Sequence, residues 1–187
     1  MKKKPEGNVG LSRGGSGGAR SLPAQRVTVL HIDDDPNDTE LLQAASRQAG
    51  APFVLQHIHD GEQAIAYLGG TGPYADRRRF PMPALILLDL KLPRTSGFEV
   101  LRWMRSHPEL ASVPIVVLSG SESQDHIQLT YSMGANSYIV KPLGFQELIK
   151  VVETLHSVWL ARPVRTPGPV PALPAGAPAA GLDTDFA

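Results

Sequence analysis

The chain has 187 residues, 42% of them hydrophobic, which leaves room for one domain with tails and a sizeable core. Its net charge of +0 gives no overall attraction to nucleic acid or to a membrane surface. The absence of cysteine excludes disulfides and thiolate metal sites and fits a reducing, cytoplasmic setting. No apolar run reaches the ~18 residues of a membrane span, and no apolar segment follows the basic N-terminus as a secretion signal requires.

Residues 1–25 are rich in Gly and Lys, centred on Gly14-Gly15-Ser16-Gly17-Gly18. They bury too little apolar surface to offset their ordering entropy, so a solvated, disordered arm is expected. Arg26 to Ile32 reads as a first strand and ends in three acids, Asp33, Asp34 and Asp35. Asp35 before Pro36 is the N-cap of a helix, with Asp38 in its first turn, running to Gly50. Pro52 to His57 reads as a second strand, and about Asp60 to Leu68 as a second helix closed by Gly69-Gly70. The loop that follows holds Tyr74 and the run Arg77-Arg78-Arg79, read as a solvated face.

Ala84 to Leu88 is an unbroken apolar run, the pattern of a strand buried on both faces of a parallel sheet. It meets an acid abruptly at Asp89, before the turn marked by Pro93 and Gly97. A carboxylate at the end of a buried strand is costly unless partnered, which singles Asp89 out for chemistry. A helix with Val100, Leu101 and Met104 on one face then stops at His107-Pro108. Val113 to Leu118 is the fourth strand, breaking at Ser119-Gly120-Ser121, and a polar helix spans about Ser123 to Met133. The fifth strand is Ser137 to Val140, followed at once by Lys141-Pro142. The last helix carries Phe145, Leu148, Ile149, Val152, Leu155 and Trp159 at helical spacing. Residues 161–187 form a Pro/Ala-rich segment without periodicity, read as a disordered tail.

Five strands alternating with five helices over 26–160 demand a parallel sheet with helices on both faces, a single doubly wound α/β domain. In such a sheet the carboxyl ends of the strands share one edge, where ligands bind. Asp33, Asp34 and Asp35 converge there with Asp89, Ser119 and Lys141. Carboxylates about 4 Å apart repel by roughly 4 kcal/mol at an effective dielectric near 20, so the cluster calls for a cation, and oxygen ligands alone suit Mg²⁺. With a nucleophilic carboxylate, an ammonium and a hydroxyl added, the set fits phosphoryl transfer. His31, His57 and His59 lack a metal-ligand spacing and read as core or surface imidazoles. Trp159 fits either the core or a dimer anchor.

Asp33-Asp34, Asp89 with Leu92-Pro93 and Gly97, Ser119-Gly120, Tyr138 and Lys141-Pro142 together resemble the signature of response regulator receiver domains. The resemblance covers essentially all of 26–160. It implies a flavodoxin-like (βα)5 fold with strand order 2-1-3-4-5, and Asp89 as the residue phosphorylated by a histidine kinase. It further implies Mg²⁺ at the acidic pocket of Asp33, Asp34 and Asp89 with the backbone carbonyl of Lys91. Lys141 and Ser119 would bind the phosphoryl group, and Ser119 and Tyr138 would form the switch. Ser119 stands where threonine is common and Gly120 where alanine is frequent. The loop with Tyr74 and the ending Ser157-Val158-Trp159-Leu160 are similar to stand-alone regulators of phytochrome-type kinases. On that resemblance the partner is a sensor histidine kinase of bacteriophytochrome type. A homodimer through the fourth helix, fifth strand and fifth helix is a second expected contact, with neither nucleic acid nor membrane as partner.

An enzyme reading and a nucleotide-binding Rossmann reading fit less well. A haloacid-dehalogenase-like phosphatase wants a second Asp where Lys91 stands, and no G-x-G-x-x-G follows the first strand as dinucleotide binding requires. A degenerate receiver serving only to bind proteins is opposed by the intact acidic pair, Asp89 and Lys141. The expected protein is therefore a switch without an external substrate.

Overall fold

Apolar runs in the sequence become the centre of a sheet in the computed structural model, which describes residues 27–161 apart from 52. The strands are β1 (Thr28–Ile32), β2 (Val54–Ile58), β3 (Leu85–Leu88), β4 (Ile115–Ser119) and β5 (Ser137–Val140). All pair in parallel, in the order β2-β1-β3-β4-β5. The three central strands are buried throughout, whereas the edge strands β2 and β5 are only partly covered. The helices between them are α1 (Pro36–Gln48), α2 (Gly61–Gly69), α3 (Gly97–Arg105), α4 (Gln124–Ser132) and α5 (Phe145–Leu155).

Alternation along the strands divides the core into two layers. Val29, Leu85, Leu87 and Val116 meet Leu42 and Ala45 of α1 and Ile149, Val152 and Leu155 of α5. On the opposite face, Leu30, Ile32, Ile86, Leu88, Ile115 and Val117 pack with Tyr67 and Leu68 of α2 and with Val100, Leu101 and Met104 of α3. The expected doubly wound sheet and its strand order are both present. The arm 1–25 and all but Ala161 of the tail 161–187 lie outside the described residues.

Three local details depart from expectation. The second strand begins at Val54, where its N–H first reaches the Val27 carbonyl at 2.9 Å, and it extends to the buried Ile58 paired with Ile32. Arg77 is not a solvated arginine like its neighbours Arg78 and Arg79. Its guanidinium donates to the carbonyls of Tyr67 at 2.8 Å and Leu68 at 2.7 Å, adding positive charge to the glycine-capped carboxyl end of α2. The last helix tightens no further after Leu155 but widens into a π turn over His156–Leu160. That turn lets Trp159 pack against the layer formed by α1 and α5, while Val158 stays exposed.

Candidate functional site

Register places the chemistry. Ile32 pairs with Leu88, and Leu88 with Val117, so the residues that follow β1 and β3 leave the sheet side by side. The backbone continues to fix them beyond the ladder: the Asp89 N–H donates to the Ile32 carbonyl at 2.9 Å, and the Asp33 N–H to that of Ile58 at 3.0 Å. Across the same edge, the Lys141 N–H donates to the Ser119 carbonyl at 2.9 Å. Four crossovers have brought four distant segments to one spot.

Asp89 is buried and held from both sides. Its Oδ1 accepts the Ser119 hydroxyl at 2.7 Å and the Lys91 N–H at 3.2 Å; its Oδ2 accepts the Lys141 ammonium at 2.8 Å. Lys141 also directs a hydrogen bond to Asp38 Oδ2 at 2.7 Å and lies 2.7 Å from Asp33 Oδ2. The last contact is an ion pair without a directed hydrogen bond, so Asp33 Oδ2 is a buried carboxylate oxygen with no hydrogen-bond donor. Asp33, Asp34 and Asp89 offer oxygens that all lie within 4.8 Å of one another, with Asp34 open to solvent. An oxygen-only cluster with one buried oxygen that receives no directed hydrogen bond and one exposed acid fits a hard divalent cation that keeps part of its water.

The electrostatics agree with that geometry. Burial alone would raise the Asp33 carboxyl, but the adjacent His31 imidazole, the Lys141 ammonium and the Asp35 N–H outweigh it and hold it at about 2. Burial works in the other sense on the Lys141 ammonium, and its acidic partners Asp33, Asp38 and Asp89 outweigh it and raise its affinity for the proton. Because the Asp33 carboxyl sits below its ordinary 3.8, its contribution of about 2 kcal/mol is present above that value and lost as pH falls toward 2. Urea unfolding at stepwise lower pH without divalent ions should show that loss. The Asp33→Asn variant should lack this part of the acid dependence; an unchanged profile would contradict the assignment.

Sequence reasoning missed one member of the site. Asp38 was legible only as an acid in the first turn of α1, yet that turn faces the site and carries Asp38 to Lys141. The Asp35 side chain is the N-cap, accepting the Asn37 N–H at 2.8 Å, while its backbone N–H donates to Asp33 Oδ1 at 3.0 Å. His31 is a core imidazole, as expected, but it touches the site: Nδ1 is 3.0 Å from Thr39 Oγ1 and Nε2 3.3 Å from Asp33 Oδ2. His57 Nε2 meets the Asp33 carbonyl at 2.8 Å, while His59 is exposed. Tyr138 stands one step away from Asp89. Its hydroxyl donates to the Ser121 carbonyl at 2.7 Å, two residues past Ser119, and its ring packs on the α2/α3 layer.

A parallel sheet ordered 2-1-3-4-5 with an aspartate, a lysine and a hydroxyl converging on an acidic pocket defines a class, and residues 29–153 match the response regulator receiver domain family. The chain belongs to that family. It is 34% identical over 132 residues to the response regulator Rcp1 of Synechocystis, covering 71% of this chain and 88% of Rcp1. A Mn²⁺-bound crystal structure of Rcp1 superposes with a TM-score of 0.64 over 72% of this chain and 94% of that one. The phosphorylated cyanobacterial phytochrome response regulator RcpA is 35% identical, with a TM-score of 0.67 over 73% of this chain and 95% of RcpA. A response regulator in red light signaling of R. palustris is 35% identical, with a TM-score of 0.68 over 72% and 94% of the two chains. Among the described residues no helix is long and apolar enough to cross a membrane.

Proposed function

We propose that this protein is a phosphoacceptor switch that takes a phosphoryl group from the phosphohistidine of a phytochrome-type histidine kinase onto Asp89. The observation that carries the reading is the clamp on Asp89, a carboxylate held at 2.7 Å by Ser119 and 2.8 Å by Lys141 beside Asp33 and Asp34. Asp33, Asp34 and Asp89, with the Lys91 backbone carbonyl, would hold Mg²⁺, which when bound neutralises charge on the phosphoryl oxygens. An Asp89 carboxylate oxygen forms the new O–P bond as the donor's P–N bond breaks, and the electron pair of that bond returns to the imidazole ring. Lys141 and Ser119 then turn their donors from the carboxylate to the phosphoryl oxygens.

Phosphorylation leaves Ser119 with a new partner, so the segment from Ser119 to Ser121 moves, and Tyr138, bonded to Ser121, follows. This would change the surface of α4, β5 and α5, the expected face for a second copy of the chain. Similarity to Rcp1, RcpA and the R. palustris protein supports a red-light kinase as donor. The reading keeps the protein cytoplasmic, with output by protein contact and no turnover of an external substrate.

Incubation with Mg²⁺ and acetyl phosphate should add one acid-labile phosphoryl group per chain. Labelling should vanish in Asp89→Asn and on removal of Mg²⁺. No label in the wild type, or equal label in the variant, would overturn the proposal.

A further inference from the structure

The Lys141 ammonium is shared among three acids whose duties differ. Of its two directed hydrogen bonds, one goes to Asp89 and the other to Asp38. Asp33 and Asp89 both belong to the cluster of oxygens placed for a divalent cation, and Asp38 does not. A cation in that cluster would draw on the carboxylates of Asp33 and Asp89, both of which Lys141 touches. Asp38 is then the one partner left entirely to the lysine.

The geometry points to Asp38 as the positioning residue of the site, the group that keeps the Lys141 ammonium beside Asp89 when the other acids serve the metal. Lysine carries a long flexible stem, and a point charge on such a stem is useful only where something fixes it. The stem has room to leave. A cavity of about 50 Å³ adjoins both Lys141 and Asp38 and is otherwise lined mainly by apolar groups, Leu42, Leu118 and Leu148 among them. Asp38 ties the ammonium to the first turn of α1, itself fixed by the Asp35 cap. One N–H remains aimed at Asp89, and the same N–H faces the oxygens of an incoming phosphoryl group.

The consequence for phosphoryl uptake rests on the phosphoacceptor reading above; the tether itself does not. Two variants separate position from charge: Asp38→Ala removes acceptor and charge, whereas Asp38→Asn keeps an oxygen for Lys141. In the protein free of divalent ions and again with Mg²⁺, acylation of Lys141 by an amine-selective reagent would be read by mass spectrometry against the exposed Lys150. In Asp38→Ala the relative reactivity of Lys141 should rise about fivefold, and more with Mg²⁺ present. Uptake from acetyl phosphate should slow about tenfold, the scale of a displaced catalytic group. Asp38→Asn should stay within about threefold of wild type in both readouts. Urea midpoints confirm that each variant is folded. Unchanged Lys141 reactivity in Asp38→Ala overturns the tether, as does equal loss in Ala and Asn. A raised reactivity in a protein whose wild type takes no label sustains the tether and defeats the phosphoacceptor reading instead.

Discussion

Replacing Gly97 by alanine is expected to destabilise the protein by about 3 kcal/mol or more, the upper end of what overpacking costs. Gly97 is the first residue of α3, and its N–H donates to the Leu90 carbonyl at 3.0 Å. A Cβ there would collide with the Asp89 carbonyl oxygen and stand 2.7 Å from the Leu90 Cα. Both are backbone atoms of the segment that leaves β3, so no side chain can rotate aside to relieve the contact. The segment itself must move, and with it the carboxylate between Ser119 and Lys141. Gly120→Ala is the matched control. It lies beside Ser119, but a Cβ at Gly120 meets nothing within 4 Å, and losing glycine's unfolded-state freedom should leave stability equal or up to about 1 kcal/mol higher. Urea unfolding of the two variants should separate their midpoints clearly at similar slopes. Comparable midpoints would show that the turn after Asp89 is far softer than its close approach implies.

Much of this architecture is legible along the chain because the central strands carry their own signature. Leu85 to Leu88 ending at Asp89, and Ile115 to Leu118 ending at Ser119, are apolar runs that stop on a polar group. Only a sheet buried on both faces, with a working edge, makes both halves of that pattern favourable. The edge strand β2 is less clear since Gln56 and His57 are half-covered, and its start is set by pairing with the Val27 carbonyl rather than by hydropathy. Asp38 was hidden for a different reason. An acid in the first turn of a helix is already explained by the helix dipole, and its partner Lys141 lies 103 positions away. Arg77 had an available hint: α2 has no basic residue in its own last turn, so a charge from the following loop could complete it. His31 had one too, since residues two apart on a strand share a face and Asp33 is two residues on.

The second large effect is expected at Lys141, where substitution by methionine keeps the stem and deletes the charge. Without divalent ions at neutral pH, Lys141→Met should lose about 3 kcal/mol, within the range for removing one member of a buried ionic set. The figure is set below the top of that range because Lys141 is 21% exposed and Asp38 34%. The loss falls mainly on Asp33, fully buried, and Asp89, 8% exposed, which share the ammonium at 2.7 and 2.8 Å. Left alone, two carboxylates about 4 Å apart repel by roughly 4 kcal/mol at an effective dielectric near 20. A cation restores what the ammonium supplied, so Mg²⁺ should recover more stability in Lys141→Met than in wild type, through tighter binding to a site relieved of a competing charge. Coupling gives the decisive comparison. Asp33→Asn removes one of the acids that Lys141 neutralises, so the double variant Lys141→Met/Asp33→Asn should be less destabilised than the two single losses sum to. Strict additivity, with equal Mg²⁺ gains in wild type and Lys141→Met, would mean that the lysine and the pocket acids do not share one electrostatic balance.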